Sequence, residues 1–428
     1  MTFPHALRAL ESRNFRLFVA GQLVSLVGTW MQTVAQSWLV YRFTGSALLL
    51  GLTGFAGQIP VFALAPLGGV VADNVDRRRV LIATQAVMMV LALLLAALTL
   101  SGTIRVWHIF TLAALLGVAN AFDIPARQSL IVSLVDRDAL PNAIALNSSM
   151  FNGARLVGPA VAGAVVASVG EGWCFLINGA SYIAVITALV LMRQPAAVGR
   201  TRGMNAWESV AEGFAFSWRT RPIRALLLLL GLMGLMGMPY AVLMPIFADR
   251  ILGGGPSTYG LLMSASGLGA LIGAVSLATR RTVKGLGRWI VVSACGFGLS
   301  LILFSLSRSI WLSAALLVPA GCFMMVELAA SNTLIQSMVP DRLRGRVIAV
   351  YSMMFMGMAP LGALMAGALA SPIGAPATVA AGGAVCVAGG LIFARKLPSL
   401  RGPARELLAA QEMSAGAPPD ETLAIADD

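Results

Sequence analysis

SLIVSLVDRDALPNAIALNSSMFNGARLVGPAVAGA, residues 129–164, lies over TLIQSMVPDRLRGRVIAVYSMMFMGMAPLGALMAGA, residues 333–368, without a gap and with 14 of 36 positions identical. The shift is 204 residues, close to half of a 428-residue chain. Self-similarity at a fixed offset marks a duplicated architecture. Continued backwards, the same shift sets Glu327 over Asp123.

Composition identifies the solvent of this chain. Hydrophobic residues make up 58% of it and charged residues 11%, and the mean hydropathy is +0.84. A soluble domain carries about a quarter charged residues, so most of this surface is built for lipid. A helix that crosses a bilayer needs roughly 20 mostly apolar residues. Such segments fall at 17–41, 47–72, 80–100, 107–134, 142–168, 173–192, 224–251, 258–279, 288–306, 310–338, 347–370 and 376–394. The first run is too long for the core of a secretory signal peptide, and the second follows almost at once. Twelve spans predict an all-α integral membrane protein. The repeat offset equals six helices, an even number, so the halves are parallel repeats about an axis along the membrane normal. Transporters built this way hold substrate near the midplane, between the halves.

The expected layout is two pseudo-symmetric six-helix bundles, in 1–193 and 223–396, joined by a cytoplasmic linker in 194–222 and followed by a disordered cytoplasmic tail in 397–428. Within the linker, Asn205 can cap a helix with Trp207, Val210, Ala211, Phe214 and Trp218 on one face and Glu208 three residues after the cap. That is the pattern of a helix lying on a membrane surface.

Loop charges set the orientation. With an inside N-terminus, the inside segments hold 25 of the 30 Lys and Arg, six of them between Arg193 and Arg224. Outside loops hold Arg42, Arg105, Arg250 and Arg308, Arg155 falls within a span, and Arg127, near the inner end of the fourth span, is counted with the inside segments. By the positive-inside rule both termini belong in the cytoplasm. The net charge of +12 is then a topology signal, and its scatter over seven inside segments argues against a nucleic-acid partner. Cys174, Cys295, Cys322 and Cys386 lie in or beside apolar spans without a CxxC pair, and the histidines, His5 and His108, are far apart. Neither a metal centre nor histidine catalysis is expected, and no cofactor. No Gly-x4-Gly-Lys-Ser/Thr loop offers an ATP site, and no ring of like residues offers a channel filter. The chain is not expected to be an enzyme.

GGVVADNVDRRRV, residues 68–80, packs five charges between the second and third spans. Its pattern, Gly69-x3-Asp73-x3-Arg77-Arg78, resembles the signature loop of the major facilitator superfamily. The resemblance covers nearly all of the chain: twelve spans, two halves and a long central loop. Asp76 stands where the family commonly has glycine, and the second-half counterpart, ATRRTVKGLGR (278–288), keeps its basic residues and lacks the aspartate. The resemblance implies a gating loop. Gly69 would bring the second helix close to a neighbour. Asp73 would face the positive end of a helix in the other half, while Arg77 and Arg78 hold that face through salt bridges and lipid phosphate.

The fifth span carries Arg155-Leu156-Val157-Gly158-Pro159, followed by Gly163, and is similar to the Gly-Pro element of the superfamily's export branches. Pro159 removes a backbone hydrogen bond and lets the helix bend at Gly158 and Pro159. With the Asp76–Arg79 run and PDRLRGRV (340–347), the chain looks most like the bacterial siderophore- and macrolide-exporter branch, which includes the enterobactin exporter. It departs from many proton-driven drug exporters in having no arginine in the outer half of the fourth span.

Gln22, Ser25, Thr29, Gln32 and Gln36 recur at helical spacing in the first span and form one polar stripe. Polar groups facing lipid are costly, so the stripe is expected to line a cavity, with Ser148 and Asn152 of the fifth span. The spans seven to eleven hold 13 of the 21 methionines, among them Met233, Met236, Met353 and Met356. Methionine adapts to irregular surfaces, so the opposite wall is expected to be apolar and plastic. Asp123 lies 15 residues before, and Arg155 17 after, the turn near residue 138, which puts them at similar depth. An ion pair is expected, because an unpaired arginine at a helix centre costs ~3 kcal/mol or more. Glu327 has Ala359 at the position equivalent to Arg155, and therefore no arginine at its depth. It is the candidate for coupling transport to protons, although it can also join Arg155 in a three-charge cluster or accept hydrogen bonds from Ser331 or Asn332.

The expected function is proton-coupled export of an amphiphilic or hydrophobic small molecule, siderophore-like or drug-like, by alternating access. The protein is expected to work as a monomer among the lipids of a bacterial inner membrane. A lipid or lysolipid flippase, or an importer, on the same fold would use the same residue types.

Overall fold

The computed structural model of the protein describes residues 5–193, 206–280 and 285–414. Each expected span is a helix. In the first half these are α1 (Arg13–Thr44), α2 (Ala47–Asn74), α3 (Arg77–Leu100), α4 (Val106–Leu134), α5 (Leu140–Val169) and α6 (Glu171–Leu191). A short helix, α7 (Ala206–Arg219), follows. The second half has α8 (Arg221–Ile251), α9 (Gly255–Ala278), α10 (Leu286–Leu306), α11 (Ile310–Met338), α12 (Asp341–Ile373) and α13 (Ala375–Ser414). The fold is the major facilitator fold.

Local chemistry sets the ends. Ser12 caps α1, accepting from the Phe15 amide at 3.4 Å, and its hydroxyl donates to the Leu134 carbonyl at 2.7 Å, which ties the start of α1 to the end of α4. Gly45, at φ 59°, closes α1 in the left-handed region, and Ser46 caps α2. Asp76 caps α3 by accepting from the Arg78 amide at 2.9 Å. That role accounts for an aspartate where the signature loop commonly has glycine. Two π-helical turns, Met233–Gly237 and Phe247–Ile251, interrupt α8. Such turns leave backbone groups and side chains re-aimed.

The helix α13 corrects the expected tail. It continues to Ser414, because Leu400, Ala404, Leu407 and Leu408 recur at helical spacing and pack on the core. Residues 415–428, and Asn205 with the rest of 194–205, lie outside the described residues. In α7, Phe214 and Trp218 are stacked and half-exposed, while Gly213 and Ser217 are buried against the start of α12. Glu212 bonds Arg342 and Arg346 there.

In the first bundle α1 packs on α5 and α6, α2 on α4, and α3 on α4 and α6. In the second, α9 packs on α11, and α10 on α11 and α13. Between the halves, α2 meets α12 and α5 meets α9. An even number of spans puts the described N-terminal and C-terminal segments at one end, here the terminal end, together with α7. The opposite end is the distal end.

Candidate functional site

The two halves touch along a seam of small residues. At α5–α9, an added methyl on Gly163 would lie 3.0 Å from the Gly260 Cα and from the Pro256 carbonyl oxygen. On Gly260 it would lie 2.5 Å from the Pro159 carbonyl. At α2–α12, Gly367 faces Ala47 and Gly51 in the same way. Small residues let backbones meet where no water drives association. Both seams lie on the distal side. They run inward as far as Arg155 against Gly267 and Phe62 against Gly357. Closer to the terminal end, Gly69, Gly153 and Gly345 have open space where a side chain would sit.

A polar lock lies over the distal end. Tyr41 of α1 donates to Asp249 of α8 at 2.6 Å, and the Arg250 guanidinium donates to the Gly45 carbonyl at 3.2 Å. Trp38 and Tyr259 stack across the halves at 6.2 Å. None of these residues figured among the expected site residues. Arg250 counts in the sequence only as an outside-loop charge and Tyr41 only as the last residue of the first span, since nothing in a linear pattern shows which loops meet. The contacts that join the halves gather at the distal end.

The expected pair of Asp123 and Arg155 is not the one that forms. Asp123 is fully buried and accepts from Arg127, one turn further along α4, at 2.5 Å, and from Thr84 and Gln85 of α3 at 3.0 and 2.8 Å. The helix α4 lies beside α2 and α3 while α5 lies beside α1 and α9, so the two side chains face different neighbours. Arg127 belongs within the fourth span rather than to an inside segment. Its i,i+4 spacing from Asp123 was the signal that could have found the pair. Arg155 instead lies over the Trp30 ring, 5.8 Å from its centroid.

The polar stripe of α1 divides between two surroundings. Gln22, Ser25 and Gln32 are buried, and Gln32 accepts from Asn178 of α6 at 2.7 Å. Gly28, on the same face, sits against Asn178 and Ser181. That part of the stripe holds α1 to α6 and does not line an open cavity. Thr29 is exposed and Gln36 half-buried. In α5, Ser148 is exposed while Asn152 is buried and returns its amide to the Ser148 carbonyl at 2.9 Å. Gly158 and Pro159 are both buried, with Gly158 against Trp30 and Val27.

The signature loop is arranged differently from the expectation. Gly68, not Gly69, makes the close approach: it faces the Ala121 backbone of α4, while Gly69 faces open space. Asp73 is exposed and without a hydrogen-bond or ion-pair partner among the described residues. Arg78 donates to the Leu189 and Val190 carbonyls at 2.6 and 2.7 Å, capping α6 within its own half. Arg77 donates to Ala72 at 3.3 Å. Among the described residues, no hydrogen bond or ion pair joins the halves through this loop.

Glu327 is buried in α11 and accepts from Ser331 at 3.2 Å. No cation pairs with it among the described residues; Asn332 bonds Gln336 instead. Of the methionines, Met233 is buried, Met353 half-buried and Met356 exposed. Met236 lines an apolar cavity of about 160 Å³ between α8, α12 and α13, with Leu235, Leu243 and Met365.

Twelve spans among the described residues, in two halves joined by close contacts at the distal end, define a membrane transporter of the major facilitator type. The chain belongs to the transmembrane secretion effector family, MFS_3, whose profile matches residues 5–417. It is 26% identical over 356 residues to the staphyloferrin A transporter of Staphylococcus aureus, covering 82% of this chain and 88% of that one. It is also 26% identical over 372 residues to the multidrug efflux pump Tap of Mycolicibacterium fortuitum (85% and 90% covered). With macrolide efflux protein A of Streptococcus pyogenes it shares 23% over 381 residues (84% and 90%). Among solved structures, a bacterial homologue of the iron transporter ferroportin in an inward-facing state superposes with a TM-score of 0.69 at 16% identity, covering 90% of this chain and 98% of that one. The protein is a multi-pass membrane transporter of this family.

Proposed function

We propose that the protein exports amphiphilic or hydrophobic small organic molecules from the bacterial cytoplasm, driven by protons entering through Glu327. The observation that carries this reading is the seam: the contacts between the halves gather at one end, locked by Tyr41–Asp249 and the glycine contacts, which leaves the other end to open. Two bundles that can exchange which end is sealed perform alternating access. The surplus of Lys and Arg on the terminal side supports a cytoplasmic placement of both termini, so the terminal end would load substrate from the cytoplasm. The gating loop at Gly69, Asp73, Arg77 and Arg78 would then engage only when that end closes. The names of the relatives, a siderophore transporter, a multidrug pump and a macrolide efflux protein, support an organic substrate. Glu327 supports the proton role as a buried intramembrane acid with a hydroxyl as its recorded donor.

The test uses proteoliposomes with an imposed pH gradient and a panel of macrolides and siderophores. Substrate addition should move protons in the wild type. In Glu327→Gln that movement should vanish while substrate binding persists. Wild-type proton movement in the glutamine variant would remove Glu327 from the coupling.

A further inference from the structure

Two arginines lie well inside spanning helices, and they are treated very differently. Arg127 is neutralised by Asp123. Arg155 is the sixteenth of the thirty residues of α5, halfway across the membrane. No carboxylate lies within ion-pair distance of it among the described residues. A cation at that depth is costly unless something answers it, and it lies at a place a ligand can reach. Its backbone carbonyl packs on Gly267 at the inner limit of the α5–α9 seam. Its side chain is partly exposed and its guanidinium lies over Trp30, which Phe151 meets edge-on at 5.7 Å.

The repeat shows that this cation is particular to one half. The equivalent of Arg155 is Ala359, although the surrounding sequence is duplicated without a gap. The one carboxylate of the other half at comparable depth, Glu327, is bonded to Ser331 inside its own bundle. A guanidinium fork beside two rings is suited to a planar carboxylate whose apolar body packs on those rings. We propose that Arg155 is the anion-binding residue of the transport site, and that the substrate is an organic carboxylate whose apolar part contacts Trp30 and Phe151. This rests on reading the chain as a transporter of small organic molecules, and it narrows the substrate class.

The experiment compares 1-pyrenebutyrate with its uncharged amide, titrated by fluorescence anisotropy into the full-length protein in lipid nanodiscs. The wild type should bind the carboxylate at least about tenfold more tightly than the amide. Arg155→Gln should weaken carboxylate binding by roughly 10- to 100-fold and leave the amide within about twofold, as expected for a lost charged hydrogen bond. Arg155→Lys should retain part of the preference, because it keeps the charge and loses the fork. Trp30→Leu should weaken both probes alike. If Arg155→Gln does not fold, the lysine and Trp30 variants still decide the matter.

Equal affinity for the two probes in the wild type overturns the proposal; so does a parallel loss of both in the arginine variants. The second outcome would make Arg155 a structural residue, and the first would mean that water or Glu327 answers its charge. Transport of the same probes in proteoliposomes separates this proposal from the one it rests on. Export of the amide without carboxylate preference removes the anion site and keeps the exporter. Carboxylate binding with no movement of either probe under any gradient removes the exporter and keeps the site.

Discussion

Gly260→Ala should unseat the distal end. The added methyl would lie 2.5 Å from the Pro159 carbonyl oxygen and 2.8 Å from the Gly163 Cα, where ordinary contact begins at 3.4 Å. Both neighbours are backbone, so neither can swing aside, and α5 and α9 must part by about 1 Å. Overpacking of this kind costs about 1–3 kcal/mol. The contact exists only while the distal end is closed, so the cost falls on that state alone. The ratio of distal-closed to distal-open molecules should therefore drop by roughly 5- to 150-fold. Spin labels at Leu100 and Leu306, exposed at the distal ends of α3 and α10, would report the opening as a longer distance by double electron–electron resonance, in a background without the four native cysteines. Gly68→Ala is the control. Its methyl would strike the Ala121 backbone within one half, so it should lower stability and leave the distance distribution unchanged. An unaltered distribution in a folded Gly260→Ala protein, or the same change in Gly68→Ala, would refute the seam as the distal gate.

Two more outcomes follow from the same contacts. Arg127→Met leaves Asp123 charged and buried, and should destabilise the protein by about 3 kcal/mol; adding Asp123→Asn should recover part of the lost unfolding midpoint, whereas additive losses would dissolve the pair. Tyr41→Phe removes the bond to Asp249 and should weaken the distal lock by about 1 kcal/mol, read as a smaller shift of the Leu100–Leu306 distance. Combined with Gly260→Ala its effect should depart from additivity, since Trp38 packs on both Tyr41 and Tyr259, the neighbour of Gly260.

The features that one helix carries along its own axis were legible in the sequence. The twelve spans follow from apolar length, and the duplication from an ungapped register. Rise per residue is fixed, so counting from the turn set Asp123 and Arg155 at similar expected depths. Their lateral separation was not legible, because it depends on which faces of α4 and α5 find partners, and these two consecutive helices scarcely touch. Rotation about a helix axis was lost in the same way. One residue is about 100°, and that turn is the difference between Gly68, pressed against α4, and Gly69, facing open space. The end of α13 was hidden by polar composition that masks a buried stripe at Leu400, Ala404, Leu407 and Leu408.

The duplication also gives a frame in which differences between the halves carry meaning. Asp123 and Glu327 are repeat equivalents, and so are Arg127 and Ser331, each one turn beyond its acid and each bonded to it. Where the donor is an arginine, the acid is neutralised within its own helix and further tied to Thr84 and Gln85. Where the donor is a hydroxyl, the acid either holds a proton or holds a charge that nothing beside it cancels. The first arrangement suits a fixed element of a bundle, and the second suits one that changes state during a cycle. Arg155 and Ala359 show the reverse asymmetry, with the unanswered cation in the first half. Each half thus brings one uncompensated group towards the membrane centre, a cation from α5 and an acid from α11. A carboxylate substrate answering Arg155 would leave Glu327 free to exchange its proton independently, which is what antiport of an anion against protons requires of two separate sites.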